Sequence, residues 1–254
     1  MWPELLLDNV MPAPSQDPAV RQWYRGVAAF FASKSRLVEA GPHLDRARQL
    51  FPAAPDILAA SGALYEAEAA PAIQNFVQAP RPDGLVATID SARSNWRRAE
   101  VFFRKAVDLD GTSAEARLHL GRVLGLRERH QEAADHLRQA AATADDSRTR
   151  YYSWLFLGVE EQALGHVDRA RESFESAAAL WPKAQSPRLA LSQLARRAGD
   201  RSGALRALQP VMTLSTDEGE RDDPWWTYFE DPSRQAESLV AQLRATLFLS
   251  MEER

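Results

Sequence analysis

The sequence predicts an all-α protein in which about five pairs of helices stack in a row. Within each proposed unit, apolar residues recur three, four and seven positions apart, so they share one face of a helix. The same residue types return 34 positions later in two places, from 21 to 55 and from 151 to 185, and turn residues separate the helices. Because one pair leaves a face uncovered, successive units must stack to form a continuous core.

The clearest unit begins at Tyr151 and is 34 residues long. Its places 4, 7, 8, 20, 24 and 32 hold Trp154, Leu157, Gly158, Ala170, Phe174 and Pro182. This pattern resembles the tetratricopeptide repeat (TPR), a helix-turn-helix unit with these residue types at these places. Glu161 at place 11 is the one departure. The resemblance covers about Arg21 to Met212 and implies a right-handed α-solenoid of about five helix pairs, as in a bacterial TPR protein.

The domain organisation follows from counting the same places along the chain. The array is predicted at 18–213, with repeats near 21–54, 55–113, 114–150, 151–184 and 185–213. Repeat two carries an insertion at 70–93, where the turn signal at Pro82 lies between two short β-prone runs, 75–78 and 85–89. These runs are compatible with a small hairpin. The insertion could serve binding or be a tolerated loop.

The flanking segments differ from the repeats. Residues 1–17 are predicted to be an irregular arm, 214–232 an acidic aromatic linker, and 233–254 a helix that caps the array. The aromatic residues of the linker must either pack on the array or contact a partner, and they are Trp225, Trp226, Tyr228 and Phe229. In repeat one, Pro42 predicts a short second helix that begins near this residue.

Composition excludes several classes of protein. The formal net charge is −4, and the acidic stretch 215–231 contributes −6 of it, so the chain lacks the basic face of a nucleic-acid binder. There is no cysteine, which rules out disulfides and thiolate chemistry. No apolar run reaches the roughly 18 residues that a membrane span needs. No signal peptide is recognised, although a removed leader would leave no trace, so both cytoplasm and periplasm stay open.

We identify no catalytic, metal-binding or cofactor-binding residues, and we do not expect an enzyme. The five histidines lack the H-E-x-x-H spacing of zinc sites. The stretch Asp108 to Gly111 begins like a calcium loop but has Gly at its fourth place instead of its sixth. The serines lack the G-x-S-x-G turn. An enzyme built on an α-solenoid remains the least favoured alternative.

The TPR resemblance implies that the first helix of each pair lines a concave groove for a peptide or protein segment. Carried over by place, the groove positions are Gln22, Arg25, Ala29, His119, Arg122, Leu126, Tyr152, Phe156, Val159, Gln193, Arg196 and Arg197. Of these, the expected peptide-binding residues are Arg25, Arg122, Tyr152, Phe156, Gln193 and Arg196. The Lys, Asn and Arg clamp of the family's chaperone-binding members is not assembled here.

The sequence therefore predicts a non-enzymatic interaction scaffold that binds a protein or peptide partner, with no nucleic acid and no metal. The 28 Arg against 3 Lys indicate a GC-rich bacterial genome. Two alternatives stay open. The arginines could simply pair with acids on neighbouring helices, or the chain could be a self-assembling module that stacks end to end or exchanges its aromatic segment with another copy.

Overall fold

The computed structural model describes residues 18–33, 37–78, 82–213 and 223–228, in which the chain forms ten α-helices and one short 3-10 helix. The helices are α1 (Pro18–Ser33), α2 (Leu37–Leu50), α3 (Pro55–Gln78), α4 (Pro82–Leu109), α5 (Ala114–Leu126), α6 (His130–Thr143), α7 (Ser147–Ala163), α8 (Val167–Leu180), α9 (Ser186–Arg197) and α10 (Arg201–Met212), and the 3-10 helix is Pro224–Thr227. Consecutive helices pack as five pairs, and the predicted all-α solenoid is confirmed. The predicted arm at 1–17 and capping helix at 233–254 lie outside the described residues.

Glycine at place 8 lets the two helices of a pair approach closely. A Cβ on Gly158 would lie 2.5 Å from the ring of Phe174, and one on Gly121 would lie 2.6 Å from Leu137 Cγ. These partners both stand at place 24 of their repeats. Because contacts this short exceed what a packed core tolerates, the small residue at place 8 is a requirement of the helix pairing.

The departure at place 11 of repeat four has a structural reason. Glu161 is buried, and its carboxylate accepts hydrogen bonds from Arg138 Nη2 at 2.6 Å and is 2.7 Å from His166 Nδ1. A buried charge is tolerated only when it is paired and hydrogen-bonded. Glu161 thus connects α6, α7 and the turn before α8 through polar contacts where the repeat usually has an aromatic side chain.

The turn within a pair uses a left-handed backbone conformation at place 15. Gly165 and Gly199 have φ of +80° there, and Glu128 has φ of 63° at the same place of repeat three. Glycine adopts this conformation without steric cost, whereas a side chain makes it less favourable. The shared geometry shows that the three turns are equivalent although one has lost its glycine.

The hairpin expectation for the insertion is wrong. Its two β-prone runs, 75–78 and 85–89, lie in the last turns of α3 and the first turns of α4, which are 24 and 28 residues long. Helix propagation adds one hydrogen bond per residue, so an existing helix readily extends through a short run of weak helix formers. Pro82 also has the φ that a first helical residue needs. The insertion therefore lengthens the second helix pair.

The expectation that the second helix of repeat one begins near Pro42 is also wrong, because α2 begins at Leu37 and includes this proline. Proline removes one backbone donor, which leaves the carbonyl of Val38 without its helical partner. Val38 is 85% exposed, so water can satisfy that carbonyl. The residue before the proline is Gly41, whose missing Cβ avoids the clash that normally ends a helix there.

Candidate functional site

The first helices of four consecutive pairs, α1, α3, α5 and α7, contact one another in turn, and α9 is the first helix of the fifth pair. We call the surface of these five helices the inner face. The chain's own residues Asp223–Tyr228, which we call the docked segment, lie against it. Four of its six residues, Asp223, Pro224, Trp225 and Tyr228, contact α3, α5, α7 and the beginning of α9. The inner face of this protein therefore carries a short peptide stretch across four successive helix pairs.

A buried carboxylate lies at the α3 end of this contact. Glu66 is 3% exposed, and its Oε1 accepts hydrogen bonds from Arg122 Nε at 2.9 Å and from the Tyr228 hydroxyl at 3.0 Å. Its Oε2 lies 2.8 Å from His119 Nδ1, which is also 2.9 Å from the Tyr228 hydroxyl. Two residues of α5 and one of the docked segment therefore satisfy one buried acid.

The charges in this cluster stabilise one another. Burial raises the pKa of Glu66, but the charges of His119 and Arg122 and the hydrogen bond from Tyr228 outweigh it, so the pKa of this carboxyl is lowered. Burial lowers the pKa of His119, but the Glu66 carboxylate outweighs it, so the pKa of the imidazole is raised. Burial and the same carboxylate raise the pKa of Tyr228. The cluster thus favours an ionised acid, a protonated histidine and a neutral tyrosine.

Aromatic rings surround the guanidinium of Arg122. Its central carbon is 4.5 Å from the ring centroid of Phe156, 4.7 Å from that of Tyr228 and 5.0 Å from that of Trp225. Cations within about 6 Å of an aromatic face are attracted by its quadrupole, most strongly where water is excluded. Arg122 therefore joins the buried acid of α3 to the aromatic residues of α7 and of the docked segment.

A second carboxylate anchors the other end of the docked segment. Asp223 is buried, and its Oδ2 accepts hydrogen bonds from the backbone N–H groups of Gln185 and Ser186 at 3.0 and 2.7 Å. Its Oδ1 accepts one from the Tyr151 hydroxyl at 2.8 Å. Gln185 and Ser186 form the N-terminus of α9, where free N–H groups and the helix dipole favour a negative charge. Asp223 therefore supplies a cap to α9.

Between the two carboxylates, the contacts are polar and aromatic. The Tyr152 hydroxyl donates a hydrogen bond to the carbonyl of Pro224 at 2.6 Å. The ring of Tyr228 packs edge-on against Tyr152 and Phe156, with centroid distances of 4.9 and 5.4 Å. Trp226 is 51% exposed and lies away from this packing. Two of the linker aromatics, Trp225 and Tyr228, therefore pack on the array, and Phe229 lies outside the described residues.

The inner face continues beyond the docked segment as a cavity of about 310 Å³. Its walls include six alanines of α1 and α3, and His119 connects it to the Glu66 cluster. Arg25 and Asp56 are polar groups of the wall, 3.4 Å apart between Nη1 and Oδ2. The other oxygen of Asp56, Oδ1, is buried and has no hydrogen-bond partner among the described residues.

The six predicted groove residues fall into three groups. Arg122, Tyr152 and Phe156 contact the docked segment. Arg25 lines the cavity. Gln193 and Arg196 are exposed on α9. Arg122 does pair with an acid on a neighbouring helix, as the structural alternative expected, and the same side chain also contacts the docked segment.

Several residues that make this site were not among the six. Glu66 stands at place 12 of repeat two, so the place counting that gave the other groove positions would also have found it. His119 was already a groove position, although nothing in the sequence paired it with Glu66. Asp223 could not be found in this way, because its ligands are backbone N–H groups 37 and 38 residues away.

The inner face holds the docked segment through hydrogen bonds and aromatic contacts. Its polar atoms bind a hydroxyl, a carboxylate and a backbone carbonyl, which are groups that a peptide offers. Within the described residues, no group of three or more His, Asp or Glu side chains is arranged to hold a metal ion. No helix in the described ranges is long and apolar enough to cross a bilayer.

Comparison with solved structures supports the repeat architecture. PilF of Pseudomonas aeruginosa is similar with a TM-score of 0.60 at 18% identity, over 89% of this chain and 91% of PilF. MamA of Desulfovibrio magneticus RS-1 gives 0.58 at 18% identity, over 78% and 96%, and another MamA structure gives 0.54 at 20% identity, over 72% and 90%. No protein-family model matches the sequence, and no curated protein is similar to it.

PilF and MamA are both TPR proteins. At these identities the similarity concerns the fold alone. The chain therefore has a TPR-like fold, and what its inner face binds must be argued from its own residues.

Proposed function

We propose that this protein is a non-enzymatic scaffold that binds a peptide or protein segment along its inner face. The observation that carries the proposal is the docked segment itself. Six residues of peptide chain are held there by side chains from α3, α5 and α7 and by the N-terminus of α9. A surface that binds one peptide stretch in this way has the chemistry to bind another.

Residue type supports the same proposal. Binding energy at protein interfaces is concentrated in Trp, Tyr and Arg side chains that fill desolvated positions. Arg122 and Tyr152 are such residues, and both point into the contact with the docked segment. We propose that Arg25, Gln193 and Arg196 extend the same surface toward its two ends, so that a longer partner would contact all six predicted residues.

The cavity is the part of this surface best suited to a second contact. Ala59 and Ala63 line it, and small wall residues leave room for side chains of a partner. Its volume of about 310 Å³ is at the lower end of the range for ligand pockets, which is sufficient for one or two side chains. We propose that a partner segment anchors here and continues along the inner face.

Selection from a displayed library of random 12-residue peptides, with the full chain as bait, tests this function. Enriched peptides should bind the chain in titration calorimetry. They should bind at least tenfold more weakly to Ala59→Arg and Ala63→Arg variants, because an arginine fills the cavity. Leu205→Arg is the matched control, since this leucine is 67% exposed on the second helix of its pair. Equal binding to the cavity variants, to the double variant Arg122→Ala and Tyr152→Ala, and to the control would refute the inner face as the binding surface.

Self-assembly is the second candidate function. The docked segment makes side-chain contacts that could equally form between two copies, because it is separated from α10 by the intervening residues 214–222. Light scattering across a hundredfold range of protein concentration distinguishes the two functions. A mass that stays at one copy of 28.3 kDa supports the scaffold, and a mass that doubles supports exchange.

A further inference from the structure

We infer that the docked segment is a built-in ligand of the inner face, and that this region selects peptides with a carboxylate side chain followed five residues later by a tyrosine. The inference rests on the proposed function and adds the chemistry of the ligand. Asp223 and Tyr228 mark the two points of recognition. The same region should therefore bind a partner peptide with this spacing when the built-in ligand is displaced.

The carboxylate point is specific because its donors are fixed. The N–H groups of Gln185 and Ser186 and the Tyr151 hydroxyl converge on the two oxygens of Asp223 at 2.7 to 3.0 Å. No side chain of α9 caps this helix end, so the donors depend on a carboxylate that comes from elsewhere. An amide in place of the acid would bring an NH₂ group toward these donors and lose the charge that the helix N-terminus favours.

The tyrosine point is specific because its acceptor is buried and charged. The Tyr228 hydroxyl donates to Glu66 Oε1, and its ring is enclosed by His119, Tyr152 and Phe156. A phenylalanine would fill the ring position but leave the carboxylate with one donor fewer. A site built to hydrogen-bond a hydroxyl discriminates strongly against a ligand that lacks it.

The same acid excludes phosphotyrosine. A phosphate on the hydroxyl would add about 1.5 to 2 negative charges next to Glu66 and would remove the proton that the tyrosine donates. The contact between the Tyr228 hydroxyl and Glu66 is also buried, so a phosphate there would lose its hydration next to a like charge. Phosphorylation of the tyrosine in a partner, or of Tyr228 itself, would therefore prevent docking.

A tethered ligand competes strongly with a free one. A ligand joined to its site by a short connection has an effective concentration in the millimolar range, and a free peptide must overcome it. Only nine residues, 214–222, separate the described end of the array from Asp223. A partner peptide should thus bind weakly to the native chain and much more tightly to a chain whose own segment has been weakened.

The test uses the acetylated and amidated six-residue peptide Asp-Pro-Trp-Trp-Thr-Tyr, labelled for fluorescence anisotropy. It should bind the full chain with Asp223→Asn and Tyr228→Phe at least tenfold more tightly than the native chain. Peptides with asparagine, phenylalanine or phosphotyrosine at the two recognition points should bind this variant at least tenfold more weakly. The matched control peptide has alanine at the second tryptophan, which corresponds to the half-exposed Trp226, and should bind like the original.

The inference fails if the peptide does not bind the folded double variant, or if the asparagine and phenylalanine peptides bind it as tightly as the original. If the double variant does not fold, the single variant Asp223→Asn replaces it, with amide hydrogen exchange of Gln185 and Ser186 as the readout. The peptide should then restore their protection at least tenfold, and an unchanged exchange rate would refute the site. Library peptides that displace the docked segment without this acid and tyrosine pattern would refute the inference and leave the proposed function intact.

Discussion

The hydroxyl of Tyr228 lies 3.0 Å from the carboxylate of Glu66, although 162 positions separate these residues in the sequence. This hydrogen bond joins the C-terminal aromatic segment to the second helix pair. The acceptor, Glu66, is nearly inaccessible to water, and its donor Tyr228 belongs to the docked segment. The hydrogen bond therefore forms only when this segment is docked. The relationship makes docking measurable through single side-chain changes.

Tyr228→Phe should weaken docking without unfolding the array. A hydrogen bond to a charged group is worth about 1.5–3 kcal/mol, so the Ser186 amide, which Asp223 protects, should exchange roughly 10- to 100-fold faster. Hydrogen exchange followed by mass spectrometry measures this. Trp226→Ala changes a half-exposed residue of the same segment and should leave the rate unchanged. Native exchange rates in Tyr228→Phe would show that the hydroxyl does not hold the segment.

The Glu66 and His119 pair should give the stability a specific pH dependence. The pKa of His119 is raised, so its contribution is complete below the ordinary value of 6.5 and is lost as the pH rises through the raised value. The pKa of Glu66 is lowered, so its contribution is present above 4.5 and is lost as the pH falls through the lowered value. The pair therefore contributes most between these two ordinary values.

Melting temperatures of the native chain and of His119→Gln, measured from pH 5 to 10, test this. The difference between the two proteins should be largest near pH 5 to 6 and should shrink as the pH rises. The two melting curves must be subtracted because burial lowers the pKa values of His43 and His136. The contribution of these two histidines to stability therefore increases with pH, opposite to that of His119. A difference that does not vary with pH would mean that the imidazole is uncharged in the folded protein.

Phe174→Ala should lower the free energy of unfolding by about 3–5 kcal/mol, because the ring is only 1% exposed and packs against Gly158. Gly158→Ala should also destabilise, since the new methyl group meets the same ring. Chemical unfolding monitored by circular dichroism measures both. Val159→Ala, on the same helix but exposed, should change stability by no more than about 0.5 kcal/mol. A Phe174→Ala protein of native stability would refute the predicted pairing.

Glu128→Gly should stabilise the protein by roughly 0.5–1 kcal/mol. The residue has φ of 63°, a conformation that costs a residue with a side chain about 1–2 kcal/mol. Glycine removes this cost, but its greater conformational freedom in the unfolded chain offsets part of the gain. Gly165→Ala, at the equivalent place, should have the opposite sign. Thermal melts of the two variants test whether the backbone at Glu128 is strained. Melting temperatures that change in the same direction in both variants would refute this strain.

Truncation after Thr213 should lower the melting temperature and promote aggregation. Without the docked segment, the aromatic rings of Tyr152 and Phe156 face water, and the predicted capping helix is lost as well. Light scattering and a thermal melt report both effects. A truncated chain that stays monomeric and melts at the native temperature would contradict the prediction.

The sequence was sufficient for the repeated part of the fold because repeat packing is local. Gly158 contacts Phe174 within one unit of 34 residues, so spacing alone predicts the contact. The ends of α3 and α4 were less predictable, since short β-prone runs are overridden by the helices that they extend. Pro42 likewise lies inside a helix because its neighbours Val38 and Gly41 make the lost hydrogen bond tolerable.

The candidate site was only partly predictable. Place counting indicated Arg122, Tyr152 and Phe156 as inner-face residues, and the structure brings these three together. The docked segment depends on contacts between distant parts of the chain that follow no period. Asp223 meets backbone groups of α9, which have no sequence signature, and no periodic spacing pairs Tyr228 with Glu66 of α3. The residue types alone predicted that the linker aromatics would be buried against another surface, but they did not predict which surface.

The position of the docked segment near the C-terminal end of the sequence sets an order of events during synthesis. Chains grow from the N-terminus at about 5–20 residues per second, and repeat units fold as they emerge. Tyr228 is added 162 residues after Glu66, which corresponds to roughly 8 to 30 seconds. On a ribosome, the inner face is therefore assembled progressively before its own ligand exists. A partner that is present during translation meets this surface without a tethered competitor.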